Sequence, residues 1–79
     1  MKIKMIYFAS LRETIGKSSE EIETIAQTAT ELYQFIKEKY QLQLNQEQLK
    51  VAINEVYVDF GTTLKEADTI VFIPPVAGG

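Results

Sequence analysis

The 79-residue sequence predicts an α+β domain, a mixed five-stranded sheet packed on one main helix. Three observations carry that expectation. Apolar residues alternate at Ile3, Met5 and Tyr7, and a second apolar run spans Thr69 to Ile73, so both stretches read as strands. Between them, Ala29 to Tyr40 places Leu32, Phe35, Ile36 and Tyr40 at helical intervals, with Glu31, Gln34, Lys37 and Glu38 turned away. Strands on both sides of a single helix in so short a chain imply a mixed sheet with one face uncovered.

Taken in order, Ile3 to Ala9 make the first strand, with Lys4, Ile6 and Phe8 opposite the Ile3 set. Ser10 and Glu13 have capping-box spacing and Gly16 suits the position after a helix end, which predicts one or two helical turns. Glu20 to Ile25 follow as a polar second strand, with Glu20, Glu21 and Glu23 forming a solvated edge or, alternatively, a docking site. Thr28 and Glu31 repeat the capping-box spacing at the start of the main helix. The polar stretch Gln41 to Gln48 reads as a loop held by Leu42 and Leu44. Lys50 to Asn54 and Val56 to Val58 form a hairpin that turns at Asn54-Glu55. Phe60-Gly61 turns the chain again, Leu64 anchors a crossing segment, and Ala67-Asp68 leads into the last strand.

Composition narrows the possible functions. The apolar share of 46% and charged share of 24% are those of a folding domain, and the net charge of -3 comes without a basic run of the kind nucleic acid requires. No apolar stretch approaches the ~20 residues of a membrane helix, and Met1-Lys2-Ile3-Lys4 enters a strand pattern rather than a signal peptide, so a cytoplasmic location is expected. There is no Cys to serve as nucleophile, persulfide carrier or metal ligand, and no His to serve as base or ligand. Carboxylates, Lys and Tyr remain, which leaves an Asp or Glu pair as a self-contained acid/base arrangement.

The strand positions hold more apolar residues than one helix can cover. Ile6 and Phe8, with Val71 and Ile73 or else Ile70 and Phe72, are in excess, and we take Ile6, Phe8, Phe72 and Ile73 as the expected partner-docking set. The last stretch, Phe72-Ile73-Pro74-Pro75-Val76-Ala77-Gly78-Gly79, points the same way. Pro74 and Pro75 hold the residues before them extended, and a terminal Gly-Gly presents its carboxylate through an opening too narrow for a Cβ. Residues 1-73 are thus expected to be the folded domain and 74-79 an extended tail. Its six residues, Pro74 to Gly79, reach roughly 20 Å, enough to enter a partner's active site.

On these residues the sequence resembles the small, sulfur-carrying subunits of molybdopterin synthase, which are ubiquitin-like β-grasp proteins. The stretches that carry the resemblance are Phe8-Ala9-Ser10-Leu11-Arg12-Glu13, Val51-Ala52-Ile53-Asn54 and, above all, the Pro-Pro-Val-Ala-Gly-Gly ending. One departure is visible. The family enters its final strand through Gly-Asp-Glu where this chain has Ala67-Asp68-Thr69, and Ala67 cannot take a positive φ cheaply.

The resemblance implies that an adenylating partner uses ATP and Mg²⁺ to activate Gly79, which becomes a thiocarboxylate. Pro74, Pro75, Val76, Ala77 and Gly78 would form the stem that enters the large synthase subunit. Sulfur would pass there to cyclic pyranopterin monophosphate, with the catalytic residues on the large subunit and a heterotetramer as the assembly. This chain itself would bind no cofactor and no metal. Its alternatives are a sulfur carrier for a thiamine-like pathway, a ubiquitin-like modifier joined through Gly79 to lysines, and an interaction module.

Overall fold

A computed structural model describes residues 1–75. In chain order the elements are β1 (Lys2–Tyr7), α1 (Ala9–Ile15), β2 (Ser19–Glu23), α2 (Ala29–Tyr40), a 3-10 turn at Gln46–Gln48, β3 (Lys50–Ile53), β4 (Val56–Val58) and β5 (Thr69–Ile73). The five strands form one sheet in the order β2-β1-β5-β3-β4, with β1 and β5 parallel and the other neighbours antiparallel. The sheet is therefore mixed, and α2 crosses the face that carries the core.

The long helix begins where its capping residue places it. Thr28 accepts a hydrogen bond from the Glu31 N–H at 3.2 Å, and the Glu31 carboxylate reaches back to the Gln27 N–H at 2.7 Å rather than to Thr28 itself. At the other end Gln41 turns left-handed, at φ 54°, and returns its N–H to the Lys37 carbonyl. The buried face is Ala29, Leu32, Tyr33 and Ile36, so Tyr33 takes the place expected of Phe35, which lies at the margin. The Tyr33 hydroxyl donates to the Leu44 carbonyl at 2.6 Å and ties down the loop after the helix.

The core face of the sheet comprises Ile3, Met5 and Tyr7 of β1, Ile22 of β2, Val51 and Ile53 of β3, and Ile70 and Phe72 of β5. Phe72 sits at its centre with 0% exposure, stacked on Phe60 at 5.9 Å and edge-on to Tyr33 at 5.1 Å. This removes Phe72 from the expected docking set. In β5 the alternation is Ile70 and Phe72 inward, Val71 and Ile73 outward.

Two further expectations are corrected. The helix α1 is capped by Phe8 with no side-chain cap, so Ser10 lies inside it and makes no capping box with Glu13; Gly16 does end it, at φ 88°. The second strand stops at Glu23, short of the expected Ile25: Thr24 still exchanges hydrogen bonds with Met1, next in register, but Ile25 beyond it points fully into solvent.

The Asn54-Glu55 hairpin forms as expected, with both residues at positive φ, 51° and 72°, as a two-residue primed turn requires. Ala67 also takes a positive φ, 69°, so the turn before β5 forms with alanine at the expense of strain. Asn54 and Asp68 lock these two turns together: the Asn54 amide donates to Asp68 at 2.9 Å and accepts from the Thr69 N–H at 2.9 Å.

Candidate functional site

Register places a row of apolar side chains across the uncovered face. Ile6 of β1 lies opposite Val71 of β5, Val71 opposite Ala52 of β3, and Ala52 opposite Tyr57 of β4. Residues paired across neighbouring strands share a face, so these four form one continuous band. Tyr57 stands out from it with 69% exposure, while Ile6 and Val71 are half-buried. Toward the start of β1 the same face turns charged, with Lys4 opposite Glu21 and Lys2 opposite Glu23.

The tail leaves at the apolar end of this face. Because β1 and β5 run parallel with Tyr7 opposite Phe72, the next residue along each chain, Phe8 just past β1 and Ile73 at the end of β5, emerges at the same edge of the sheet. Ile73 is flanked on its other side by Lys50. Phe8 is 49% exposed and Ile73 half-buried, so three of the four residues expected to dock, Ile6, Phe8 and Ile73, lie on this face or at its tail end. Pro74 is buried against the body and Pro75 is exposed. The remaining expected tail residues, Val76, Ala77, Gly78 and Gly79, lie outside the described residues.

An open groove of about 720 Å³ borders the same corner, between the start of β3 and the end of β4, lined among others by Lys50, Tyr57, Asp59 and Phe60. Alternation within the strands could have found Tyr57, since it faces away from Val56 and Val58. The pairing that aligns it with Ala52, Val71 and Ile6 is tertiary and carries no local signal.

Among the described residues the titratable groups do not assemble a proton-transfer site. The most connected one is Glu20, one of whose oxygens accepts from both Tyr7 and Tyr40 at 2.6 Å while the other meets Lys17 at 3.1 Å. Partial burial opposes ionisation of Glu20, but the bonds from Tyr40, Tyr7 and Lys17 outweigh it and hold the carboxyl below its usual range. Burial, reinforced by the Glu20 bond, pushes the Tyr7 hydroxyl far upward. Both groups move away from neutral pH, the reverse of what a general acid or base needs. The cluster is a structural tie between β1, β2 and the end of α2.

Among the described residues no three acidic side chains converge as a metal site, and no helix is long and apolar enough to cross a membrane.

A five-stranded mixed sheet in this order, crossed by one long helix and leading into a Pro-Pro tail, defines a ubiquitin-like β-grasp protein. The sequence matches the ThiS family over residues 5–79, and the chain belongs to that family. It is 32% identical over 80 aligned positions to the molybdopterin synthase sulfur carrier subunit of Escherichia coli, covering 98% of this chain and 99% of that one.

Among solved structures, a molybdopterin converting factor subunit 1 from Pyrococcus furiosus superposes with a TM-score of 0.77 at 30% identity, over 96% of this chain and 99% of that one. A complex of subunits 1 and 2 of molybdopterin-converting factor from Helicobacter pylori contains a chain that matches with a TM-score of 0.69 at 29% identity, over 100% of both. The resemblance read from the sequence holds along the whole chain.

Proposed function

We propose that this chain is the sulfur carrier subunit of a molybdopterin synthase. The observation that carries the reading is the position of the apolar band. It crosses the uncovered face through Val71 of the central strand, three residues before the Pro74-Pro75 stem, so a partner seated on Ile6, Val71, Tyr57, Phe8 and Ile73 would lie within reach of the tail. The likeness to a chain that occurs in a two-subunit complex supports such a partner.

The chemistry follows from the terminal carboxylate. With a pKa of about 3.5 it is an anion at neutral pH and a poor electrophile, so it must be activated before sulfur can enter. An adenylating partner joins the Gly79 carboxylate to the AMP portion of ATP, with Mg²⁺, and releases pyrophosphate. A sulfur donor displaces AMP and leaves the thiocarboxylate. The tail then enters the large subunit, where sulfur passes to cyclic pyranopterin monophosphate, and two such transfers complete the dithiolene. This chain supplies the tail and the docking face, and the large subunit supplies the acid/base groups. We place the reaction in the cytoplasm, on a heterotetramer.

The test is the intact mass of the protein after incubation with ATP, Mg²⁺, the adenylating partner and a sulfur source. Replacement of one oxygen by sulfur, reversed only when large subunit and pterin precursor are both added, supports the reading. Sulfur that forms but is not consumed by that pair refutes it in favour of another pathway. An unchanged mass with a partner active on its own carrier refutes it altogether.

A further inference from the structure

The joint between β1 and α1 consists of one extended residue, Phe8, followed by an alanine in the left-handed region, Ala9 at φ 48°. Each of the other non-glycine residues with positive φ has a structural reason for it. Gln41 caps α2, Asn54 and Glu55 make the hairpin, and Ala67 turns the chain so that its N–H reaches the Lys2 carbonyl at 2.8 Å. Ala9 caps nothing, and its side chain is exposed, so no packing of the methyl offsets the strain.

The strain is held from both sides. Before it, the Tyr7 N–H donates to the Ser18 carbonyl at 2.8 Å; after it, the Phe8 carbonyl accepts from the Leu11 and Arg12 N–H groups at 3.0 and 3.2 Å. Strain maintained in this way is characteristic of sites where a side chain must be presented in one orientation. The side chain concerned is Phe8, the exposed ring at the tail end of the apolar face.

The geometry points to Ala9 as the positioning residue that, through its left-handed backbone, presents Phe8 to the large synthase subunit. This rests on the docking reading above. At this joint the left-handed residue leaves the preceding side chain, Phe8, outside the core. Glycine at position 9 would accept the same backbone freely. Valine would not, because a β-branched side chain at positive φ is an outlier, so the joint would leave the left-handed region and carry Phe8 with it. The helix beyond the joint buries only Leu11, so the rest of the domain has little stake in the change.

A double-mutant cycle tests this, with calorimetric titration of each full-length variant against the large subunit. Phe8→Ala is expected to weaken binding about tenfold or more, as loss of an aromatic anchor does. Ala9→Val is expected to weaken it by a similar factor in the native background, but by less than about twofold when Phe8 is already alanine, because it acts through that ring. Ala9→Gly is expected to bind within about threefold of the native chain and to melt a few degrees higher.

Unchanged binding by Phe8→Ala would refute the docking role of Phe8 itself. Normal binding by Ala9→Val, or equal weakening in both backgrounds, would overturn the positioning role alone. Should Ala9→Val not fold, the glycine variant decides, since a tenfold loss there would show that something other than the left-handed backbone matters.

Discussion

Tyr7 and Tyr40 donate their hydroxyls to the same oxygen of Glu20, each at 2.6 Å, with their rings edge-on at 6.4 Å. A β1 residue and the last residue of α2 are thereby tied to the edge strand β2, where a carboxylate has its pKa held down by the bonds it accepts. A carboxyl whose native pKa lies below its unfolded value stabilises the fold above the unfolded value, about 4.3, and loses that contribution as pH falls through the native one. Stability measured by urea unfolding is therefore expected to decline from about pH 5 downward, with Glu20→Gln showing a shallower acid decline and Tyr40→Phe losing about 1 kcal/mol at neutral pH. An acid limb identical in Glu20→Gln would show that other carboxylates carry it.

Ala67 holds a left-handed φ of 69° while remaining exposed. Ala67→Gly removes that strain but enlarges the conformational freedom of the unfolded chain, and the balance favours the folded state by about 0.5–1 kcal/mol. For a domain of this size that raises the melting temperature by roughly 2–8 °C. A lower melting temperature would mean that the alanine methyl contributes contacts the backbone geometry does not suggest.

Phe72 meets Phe60 and Tyr33 at the centre of the core, whereas Val71, its neighbour in β5, faces the uncovered side. Truncating Phe72 to alanine is expected to cost about 3–5 kcal/mol, a large part of what a domain this small possesses. Val71→Ala is expected to cost about 1 kcal/mol or less, since a half-buried side chain leaves a smaller void. Thermal melts of the two variants distinguish these outcomes, and comparable losses would contradict the assignment of faces.

The parity of β5 shows where the sequence stops being legible. Thr69 to Ile73 is apolar at nearly every position, so alternation defines two faces without saying which one meets the helix. The docking set expected from sequence accordingly mixes Phe72, which is buried, with Ile73, which is half-buried on the opposite face. Where a local signal was unambiguous the sequence sufficed: Thr28 with Glu31 located the start of α2, and Asn54-Glu55 located the hairpin. The Glu20 tie could not be read, because its partners lie 13 and 20 residues away along the chain and only the fold joins them. The start of α1 is not legible because a polar residue at Ser10 mimics a cap, while the actual entry uses the Phe8 carbonyl and a strained Ala9.

Exposure alone does not identify a docking residue, and Ile25 and Tyr57 separate the two ideas. Ile25 is 96% exposed, but it stands in the connection between β2 and α2, where its neighbour Ala26 is buried and Gln27 is polar. A single apolar side chain in solvent is ordinary on a protein surface. Tyr57 is 69% exposed and lies at the β4 end of the band through Ala52, Val71 and Ile6, which crosses the strand that leads to the tail. An aromatic at the edge of a contiguous apolar band is the kind of residue that dominates an interface. Tyr57→Ser is therefore expected to weaken association with the large subunit by about 1–2 kcal/mol, roughly five- to thirtyfold, with little change in melting temperature. Ile25→Ser is expected to leave both unchanged. Equal binding by the native chain and Tyr57→Ser would move the docking surface off this face, and a loss with Ile25→Ser would place it around the start of α2 instead.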